Sequence, residues 1–290
     1  MQTLTDSQVE DFLNKGYARL PGCFGRDTAD KWRRLAYERL GYDEQDASTW
    51  AEERVHLPRM NTVEVADFAP KAYAAICDVM GGEERIAGPL HWADGFIVNF
   101  KVCGDEPWQA PSATAPGWHK DGDWFRHFLD SPEQGLLTIV VWSDIEPQSG
   151  GTFVAPDSIG PVARFLQQQP QGCHPQEVKF GTLIGQCTEF EEVTGEVGDV
   201  FLLHPYMLHA SSGNPSGRPR FITNPAVSLQ SPMCFDRANG DYSLVERVVL
   251  RALEVESLDY QITRERERIV PEREIRQRKM LEEQKQRLRT

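Results

Sequence analysis

The first third of the chain is dominated by segments whose apolar residues recur at helical spacing: residues 5–15, 27–40 and 65–80. The first of them starts among residues that cap helices well and stops at Gly16. A short apolar run, Tyr17–Leu20, follows it and predicts a strand. Residues 41–60 show no clean period, so no element is predicted there.

From about residue 94 the pattern changes to short, apolar runs rich in β-branched residues: residues 95–102, 136–145, 198–203 and 220–229. Loops rich in Gly, Pro, Ser and Asp separate them, notably over residues 104–117 and 211–217. Helices followed by many short strands predict a mainly β fold with bracing helices, either an antiparallel sandwich or a jelly roll.

The C-terminal part differs in charge from the rest of the chain. Residues 244–253 are predicted to be helical, and residues 264–289 form a charged helix candidate with few apolar positions. The formal charge of −13 divides into +4 for residues 261–290 and −17 for residues 1–260. We therefore predict one domain over residues 1–260, with helices in 1–90 and a β core in about 91–230, followed by a helical arm over 261–290.

That arm has two interpretations. A helix with so few apolar residues is typical of a solvated surface, but the same helix packed on a second subunit would give a homodimer. The sequence leaves both open.

Composition excludes several classes of protein. The strong acidic charge argues against a general nucleic-acid binder, which needs a basic face. No apolar run approaches the roughly 20 residues that span a bilayer, and residues 1–15 do not have the pattern of a secretion signal. The lack of such a run predicts a protein without membrane attachment. Six cysteines lie far apart without a C-x-x-C pair: Cys23, Cys77, Cys103, Cys173, Cys187 and Cys234. Their spacing predicts a reduced, cytoplasmic protein.

The triplet His119-Lys120-Asp121 is the first sign of chemistry. In a strand, residues two apart point to the same face, so an imidazole and a carboxylate would be adjacent metal ligands. Such a triplet is common by chance, but about 90 residues later an apolar strand over residues 198–209 delivers His204 and His209 near its end. Two histidines and one carboxylate leave open positions on iron for a chelating cosubstrate and O2.

Arg220 lies eleven residues beyond His209. Its planar guanidinium suits bidentate binding of a carboxylate better than an ammonium group does. In isolation such an arginine is more often a surface residue paired with a nearby acid. Together with the spaced histidines and the aspartate, it predicts an iron site with a carboxylate-bearing ligand.

Four stretches carry a resemblance to a known family: the entry over residues 5–24, Gly117-Trp118-His119-Lys120-Asp121, residues 141–156, and His209 through Arg220. In these stretches the chain resembles the phytanoyl-CoA dioxygenase-like family of Fe(II)/2-oxoglutarate oxygenases, over about residues 5–230. The resemblance implies a double-stranded β-helix core, the cupin-like form of the jelly roll. It also implies Fe(II) and 2-oxoglutarate as cofactors.

Carried over by position, the resemblance implies that His119, Asp121 and His209 bind iron and that Arg220 binds the far carboxylate of 2-oxoglutarate. His209 is preferred to His204 because Arg220 keeps the family's spacing from it, although His204 stays a rival. Four further residues are implied to lie near the cosubstrate: Ser211, Trp142, Ile97 and Asn99.

A cluster directly after the triplet is a candidate for substrate contact: Trp124, Phe125, Arg126 and His127. Aromatic walls with one cation suit an apolar molecule that bears an acid group. An ordinary exposed loop is the alternative interpretation.

The predicted function is a dioxygenase that uses O2 to oxidise a C–H bond of a small molecule, most often by hydroxylation, and releases succinate and CO2. Desaturation, cyclisation or epimerisation at the same iron site is an alternative, since these outcomes depend on the pose of the substrate. Halogenation is disfavoured because related halogenases lack the carboxylate ligand, whereas Asp121 is present. A non-enzymatic binding module with the same fold is a third possibility.

Overall fold

The computed structural model describes residues 3–289. Its helices are α1 (Asp6–Lys15), α2 (Arg26–Leu40), α3 (Val65–Phe68), α4 (Pro70–Met80), α5 (Ile159–Gln167), α6 (Leu244–Ala252) and α7 (Glu272–Arg287). Helix α1 begins at a capping box, in which Thr5 and Gln8 satisfy each other's backbone amides, and ends at Gly16, whose φ of 73° is left-handed. Local sequence therefore fixes both ends of this helix.

The strands are β1 (Tyr17–Leu20), β2 (Arg54–His56), β3 (Thr62–Glu64), β4 (His91–Ala93), β5 (Ile97–Asn99), β6 (Leu136–Val141), β7 (Thr152–Ala155), β8 (Glu191–Val193), β9 (Val200–Leu203), β10 (Leu208–Ser211), β11 (Arg220–Thr223) and β12 (Ala226–Val227). They form a large antiparallel sheet in the order β1-β9-β6-β11-β5-β2, with β12 on β6, and a small sheet in the order β10-β7-β8. Strands β3 and β4 make a separate hairpin.

The path of the chain between the two sheets positions the site. His119 forms an antiparallel bridge with His209 of β10. Along the chain, β5 therefore lies in the large sheet, residue 119 pairs with the small sheet, and β6 lies in the large sheet again. It then adds β7 and β8 to the small sheet, β9 to the large, β10 to the small and β11 to the large. This alternation is the strand order of a jelly roll. The predicted mainly β fold with bracing helices is confirmed.

Several elements agree with the sequence patterns, and three predictions were wrong in detail. The helix expected over 65–80 is two helices, because Pro70 cannot continue a helix from the preceding turn and starts a new one. The strand expected over 198–209 turns at residues 204–207 and becomes β9 and β10 in different sheets. The helix expected from residue 264 begins only after Pro271. The division into a domain and an arm at residue 260 stays a prediction.

Strands in the middle of the fold are buried on both faces. Every residue of β6, β7, β9 and β11 is buried, which requires cover on each side of the sheets. On the helical side of the large sheet, Trp32 of α2 stacks on Trp142, with ring centroids 4.9 Å apart. None of the helices within residues 3–289 combines the length and apolar character needed to cross a bilayer.

Arg39 of α2 is fully buried and connects distant parts of the chain. It forms a 2.9 Å ion pair with Asp94 and donates hydrogen bonds to the carbonyl of Pro58 and, at 2.9 Å, to the Gln284 side chain of α7. Asp94 is only 1% exposed and also accepts hydrogen bonds from the amides of residues 60 and 61. This network ties α7 and the loop after β2 to α2.

Replacing Arg39 by Met is expected to lower the free energy of unfolding by about 3–5 kcal/mol, because the carboxylate of Asp94 would remain buried without its counter-charge. Urea denaturation followed by circular dichroism measures the change. Arg34→Met on the exposed side of the same helix is the matched control and should shift stability by no more than about 0.5 kcal/mol. Equal losses in the two variants would contradict a special role for Arg39.

Candidate metal centre

Two chain segments meet at a pair of backbone hydrogen bonds. The amide of His119 donates to the carbonyl of His209, and the amide of His209 donates to the carbonyl of His119, each at 3.0 Å. Directly paired residues in an antiparallel bridge project to the same side. The two imidazole rings consequently lie next to each other, with centroids 4.3 Å apart.

Asp121 completes a triangle with these two histidines. Its Oδ1 atom lies 3.5 Å from Nε2 of His119 and 3.6 Å from Nε2 of His209, and one ligand atom from each residue falls within 4.8 Å of the other two. Within residues 3–289, this is the group of three or more His, Cys, Asp or Glu side chains arranged to hold a metal ion. The structure thus brings together the three predicted metal ligands.

Hydrogen bonds fix which nitrogen of each ring is available. Nδ1 of His119 lies 2.7 Å from the carbonyl of Gly117, and Nδ1 of His209 lies 3.1 Å from the carbonyl of Met207. A carbonyl only accepts, so each Nδ1 carries the hydrogen and donates it. Each Nε2 faces Asp121, and in the neutral ring this nitrogen keeps the lone pair that a metal ligand requires.

Asn224 orients the carboxylate. Its side-chain amide donates a 2.8 Å hydrogen bond to Oδ2 of Asp121 and leaves Oδ1 for the triangle. The sequence analysis missed this residue. The signal was present in the alternation of Arg220, Ile222 and Asn224 along and just beyond β11, which puts all three on one face.

The charges of the triangle reinforce one another. Burial favours the neutral acid, but the imidazoles of His209 and His119 outweigh it and hold the pKa of Asp121 well below its ordinary value. Burial likewise opposes a charge on His119, yet the hydrogen bond and charge of Asp121 raise the pKa of that imidazole. A carboxylate kept ionised between two imidazoles is a donor set ready for a divalent cation.

This donor set fits non-haem iron. Two imidazole nitrogens and one carboxylate oxygen are the ligands of the facial triad that Fe(II) oxygenases use, with the remaining positions open to cosubstrate and O2. All three residues line one cavity, so exchangeable ligands have room beside them. No cysteine joins the group, as would be typical of a structural zinc site.

His204, the rival histidine, occupies a different environment. It is completely buried in the turn between β9 and β10, where its Nδ1 accepts a 3.2 Å hydrogen bond from the amide of Tyr206. Its ring packs edge-on against the Tyr206 ring, and burial lowers its pKa to about 3. Of the two histidines left open by the sequence, the structure brings His209 next to Asp121.

Arg220 is a buried cation without a counter-charge. It is 1% exposed, and its guanidinium donates to the carbonyls of Gly150 at 2.7 Å and Ile97 at 3.2 Å. Across residues 3–289 no carboxylate forms an ion pair with it, and burial together with the charge of Arg54 lowers its pKa to about 10. Burying an unpaired charge is costly, so a carboxylate ligand would relieve this position.

Arg54 is a second cation near the same place, and it too was missed. Arg54, Asn99 and Arg220 pair in one row across β2, β5 and β11, and Arg54 donates a 3.3 Å hydrogen bond to the hydroxyl of Ser211. Paired residues in a row share a face of the sheet. The strand that carries Arg54 has only three residues and lies in a stretch without a clear period, so no sequence pattern pointed to this arginine.

The other residues predicted near the cosubstrate divide into two groups. Ile97 and Ser211 line the cavity. Asn99 is buried and donates a 3.0 Å hydrogen bond to the carbonyl of Ser212. Trp142 is also buried, and its indole donates at 3.0 Å to the hydroxyl of Thr223, a cavity residue. Asn99 and Trp142 therefore reach the cavity only through their neighbours.

The cavity in front of the triangle has a volume of about 1030 Å³. Both sheets contribute to it, for example through Ile139 and Thr152, and one face of α7 closes it. Among the predicted substrate residues, Trp124 lines the cavity. Phe125, Arg126 and His127 are buried beside it, and Arg126 forms a 3.1 Å ion pair with Glu267.

Lys120, between the two predicted ligands, points into the inner end of this cavity. Its ammonium lies 3.1 Å from Nδ1 of His127 and within 6 Å of the ring centroids of Phe125, Phe180 and Tyr206. Burial lowers its pKa to about 7. Aromatic faces and a neutral imidazole therefore surround this amine.

A family model described as phytanoyl-CoA dioxygenase (PhyH) matches residues 12–222. A search of curated proteins finds no match.

Three solved structures with similar folds have low sequence identity to this chain. SnoK, a non-haem alpha-ketoglutarate-dependent carbocyclase from nogalamycin biosynthesis, is 15% identical, with 79% of this chain and 86% of that chain covered and a TM-score of 0.46. HygX from Streptomyces hygroscopicus with nickel and 2-oxoglutarate bound is 18% identical, with 78% and 88% covered and a TM-score of 0.46. AviO1 from Streptomyces viridochromogenes Tue57 is 15% identical, with 80% and 98% covered and a TM-score of 0.45.

The family model covers more than two thirds of the 290 residues and includes the triangle and the buried arginine. The chain therefore belongs to the phytanoyl-CoA dioxygenase family, the family of Fe(II)/2-oxoglutarate oxygenases that its motifs resemble.

Proposed function

We propose that this protein is an Fe(II)- and 2-oxoglutarate-dependent dioxygenase that oxidises a C–H bond of a small molecule. One observation carries the proposal: a His-Asp-His triangle shares a cavity with a buried arginine that has no carboxylate partner within residues 3–289. A metal site alone has many uses. A metal site with an adjacent, unsatisfied carboxylate receptor suits a cosubstrate that chelates iron at one end and bears a carboxylate at the other.

In this proposal His119, Asp121 and His209 hold the iron, and Arg220 holds the far carboxylate of 2-oxoglutarate. When bound, iron and 2-oxoglutarate supply the oxidising chemistry, in which O2 is consumed and succinate and CO2 are released. The carbonyls of Gly117 and Met207 keep each imidazole in the required tautomer.

The protein's own part is to orient and to exclude water. Thr152, Ile222 and Thr223 line the cavity that holds the triangle and Arg220, where they limit the space open to the cosubstrate. The C-terminal arm and both sheets line the space proposed for the substrate. This lining limits side reactions with solvent.

Hydroxylation is the outcome we favour, since it needs only a C–H bond held near the metal. Desaturation, cyclisation or epimerisation would use the same ligands with a different pose of the substrate. A non-enzymatic binding module is less consistent with the site, because such a module has no need of a buried, unpaired Arg220 beside a complete ligand triangle.

Two earlier expectations stay predictions. A cytoplasmic location rests on the wide spacing of the cysteines. A homodimer through the C-terminal arm rests on the outward side of α7, where Ile275 is 66% exposed. The inward side of that helix faces its own chain.

Substituting Ala for His209 is expected to abolish Fe(II) binding, since one corner of the triangle is lost. An anaerobic titration with Fe(II) and 2-oxoglutarate, followed by the charge-transfer absorption of the complex, measures this. His204→Ala is the matched control: it should keep the absorption band while lowering stability, because His204 fills a buried position. Retention of the band in His209→Ala, or its loss in a folded His204→Ala, would reverse the assignment.

Arg220→Gln is expected to raise the KM for 2-oxoglutarate by about 10- to 100-fold, the effect of losing a charge-assisted hydrogen bond of roughly 1.5–3 kcal/mol. Succinate formation at varied 2-oxoglutarate provides the measurement. Arg218→Gln, two residues earlier on the exposed surface, removes the same charge and should leave the KM unchanged. An unchanged KM in Arg220→Gln would refute the cosubstrate role.

Asn224→Ala is expected to weaken Fe(II) affinity about 10- to 100-fold without preventing binding, the usual effect of removing a hydrogen bond that orients a ligand. Calorimetric titration under anaerobic conditions gives the affinity. Asn239→Ala, an exposed position far along the chain, serves as control. Equal affinities in the two variants would show that Asp121 needs no such support.

A further inference from the structure

The C-terminal arm forms the outer wall of the cavity. Four residues of α7 that lie on one helical face line it: Glu274, Gln277, Arg278 and Leu281. The segment before α7 pairs with the loop after the H-x-D triplet, where the amide of Ile269 donates to the carbonyl of Trp124 at 2.8 Å. At the far end, Gln284 is held by Arg39 at 2.9 Å. The helix is thus fastened at both ends across the cavity.

One ion pair clamps the arm close to the metal centre. Arg273 donates two hydrogen bonds, of 2.6 and 2.7 Å, to the two carboxylate oxygens of Asp123. Asp123 follows the predicted ligand Asp121 by two residues. The wall and the metal centre are therefore joined through a bidentate contact.

The cavity is more basic than the protein as a whole. The chain carries a formal charge of −13, yet the lining of the cavity contains seven Lys and Arg residues and four Asp and Glu residues. Several of these cations are already accounted for. Arg220 and Arg54 lie at the cosubstrate end, Arg273 pairs with Asp123, and Arg278 pairs with Glu274.

Among the lining arginines, Arg268 and Arg59 remain without an ion pair or side-chain hydrogen bond within residues 3–289, and Arg59 is the one that follows a strand of the large sheet. It lies just after β2 on the cavity wall, and its stem packs close to Gly95, where a Cβ would come within 3.0 Å of it. Nowhere in residues 3–289 does its guanidinium form an ion pair or a hydrogen bond. Partial burial and the charge of Arg273 both lower the pKa of Arg59.

His56 of β2 also lines this cavity. Burial and the charges of Arg273 and Arg59 lower its pKa to about 4, although Asp121 and Asp123 act in the opposite direction. Of those two acids, Asp123 is engaged by Arg273, and Asp121 is the predicted metal ligand. Neither is then available to neutralise Arg59.

We infer that Arg59, which lines the cavity together with the C-terminal arm, binds an anionic group of the substrate, a carboxylate or a phosphate. This inference rests on the proposed function, because it assumes that 2-oxoglutarate occupies the separate receptor at Arg220. The substrate would lie between two fixed points, with its anionic end at Arg59 and its reacting carbon near the metal. Specificity would then depend on the distance between its acid group and the C–H bond that is oxidised.

The test uses three probes that share a six-carbon chain: hexanoate, hexyl phosphate and hexanol. Each probe is titrated calorimetrically into the full chain in two forms. The first form carries neither metal nor cosubstrate, and the second is loaded anaerobically with Fe(II) and 2-oxoglutarate. Arg59→Gln is compared with Arg276→Gln, which removes the same charge from the solvent side of α7, where the Arg276 side chain is 73% exposed. The charge-transfer absorption of the loaded protein serves as an independent check of the metal and cosubstrate sites.

At least one anionic probe should bind the loaded protein more tightly than hexanol, and Arg59→Gln should weaken that probe by about tenfold or more. Arg276→Gln should behave as the unchanged protein, and both variants should keep the absorption band. If hexanoate binds more tightly than hexyl phosphate, the anionic group of the substrate is a carboxylate. The reverse order indicates a phosphate. Equal binding of all three probes, or equal affinities in the two variants, would overturn the inference. Absence of the band in the unchanged protein would instead overturn the proposed function.

Discussion

Everything at the metal centre depends on two backbone hydrogen bonds between residues 119 and 209. They join a loop-borne triplet to the edge of the small sheet, and without them nothing in the local sequence would hold His119 beside β10. The contact is also supported from behind. A Cβ on Gly181 would lie 1.9 Å from the carbonyl oxygen of Trp118, so only glycine lets the chain approach the triplet this closely. The geometry of the ligands is thus set by the backbone before any side chain contributes.

Two buried arginines show how environment separates structure from function. Arg39 and Arg220 are both almost completely inaccessible. Arg39 has a carboxylate partner in Asp94 and further bonds to α7, so its charge is used to hold the fold together. Arg220 is held only by neutral carbonyls, which position it but do not neutralise it. The same side chain is a structural tie in one place and a receptor in the other, and the difference is whether the protein supplies the anion.

The parts of this picture that follow from the sequence are those with strong local patterns. Apolar runs predict β1, β6 and β9, and the caps around α1 predict its ends. The triplet His119-Lys120-Asp121 and the spacing between His209 and Arg220 predict the ligand set. What the sequence does not reveal are residues defined by distant partners: Asn224 matters because of Asp121, and Arg54 because its three-residue strand pairs with β5. The role of α7 is hidden for the same reason, since its cavity-facing side is polar and resembles a solvated surface.

The order of these parts along the chain separates the proposed chemistry from the wall of the cavity. The proposed metal ligands and cosubstrate arginine lie between residues 119 and 220, whereas the helix that lines the outer side of the cavity spans Glu272–Arg287. A substitution on the inner face of that helix changes the space offered to a substrate without disturbing a single strand pairing. The choice of substrate can therefore be altered within a few turns of one helix, while the proposed iron site keeps its geometry.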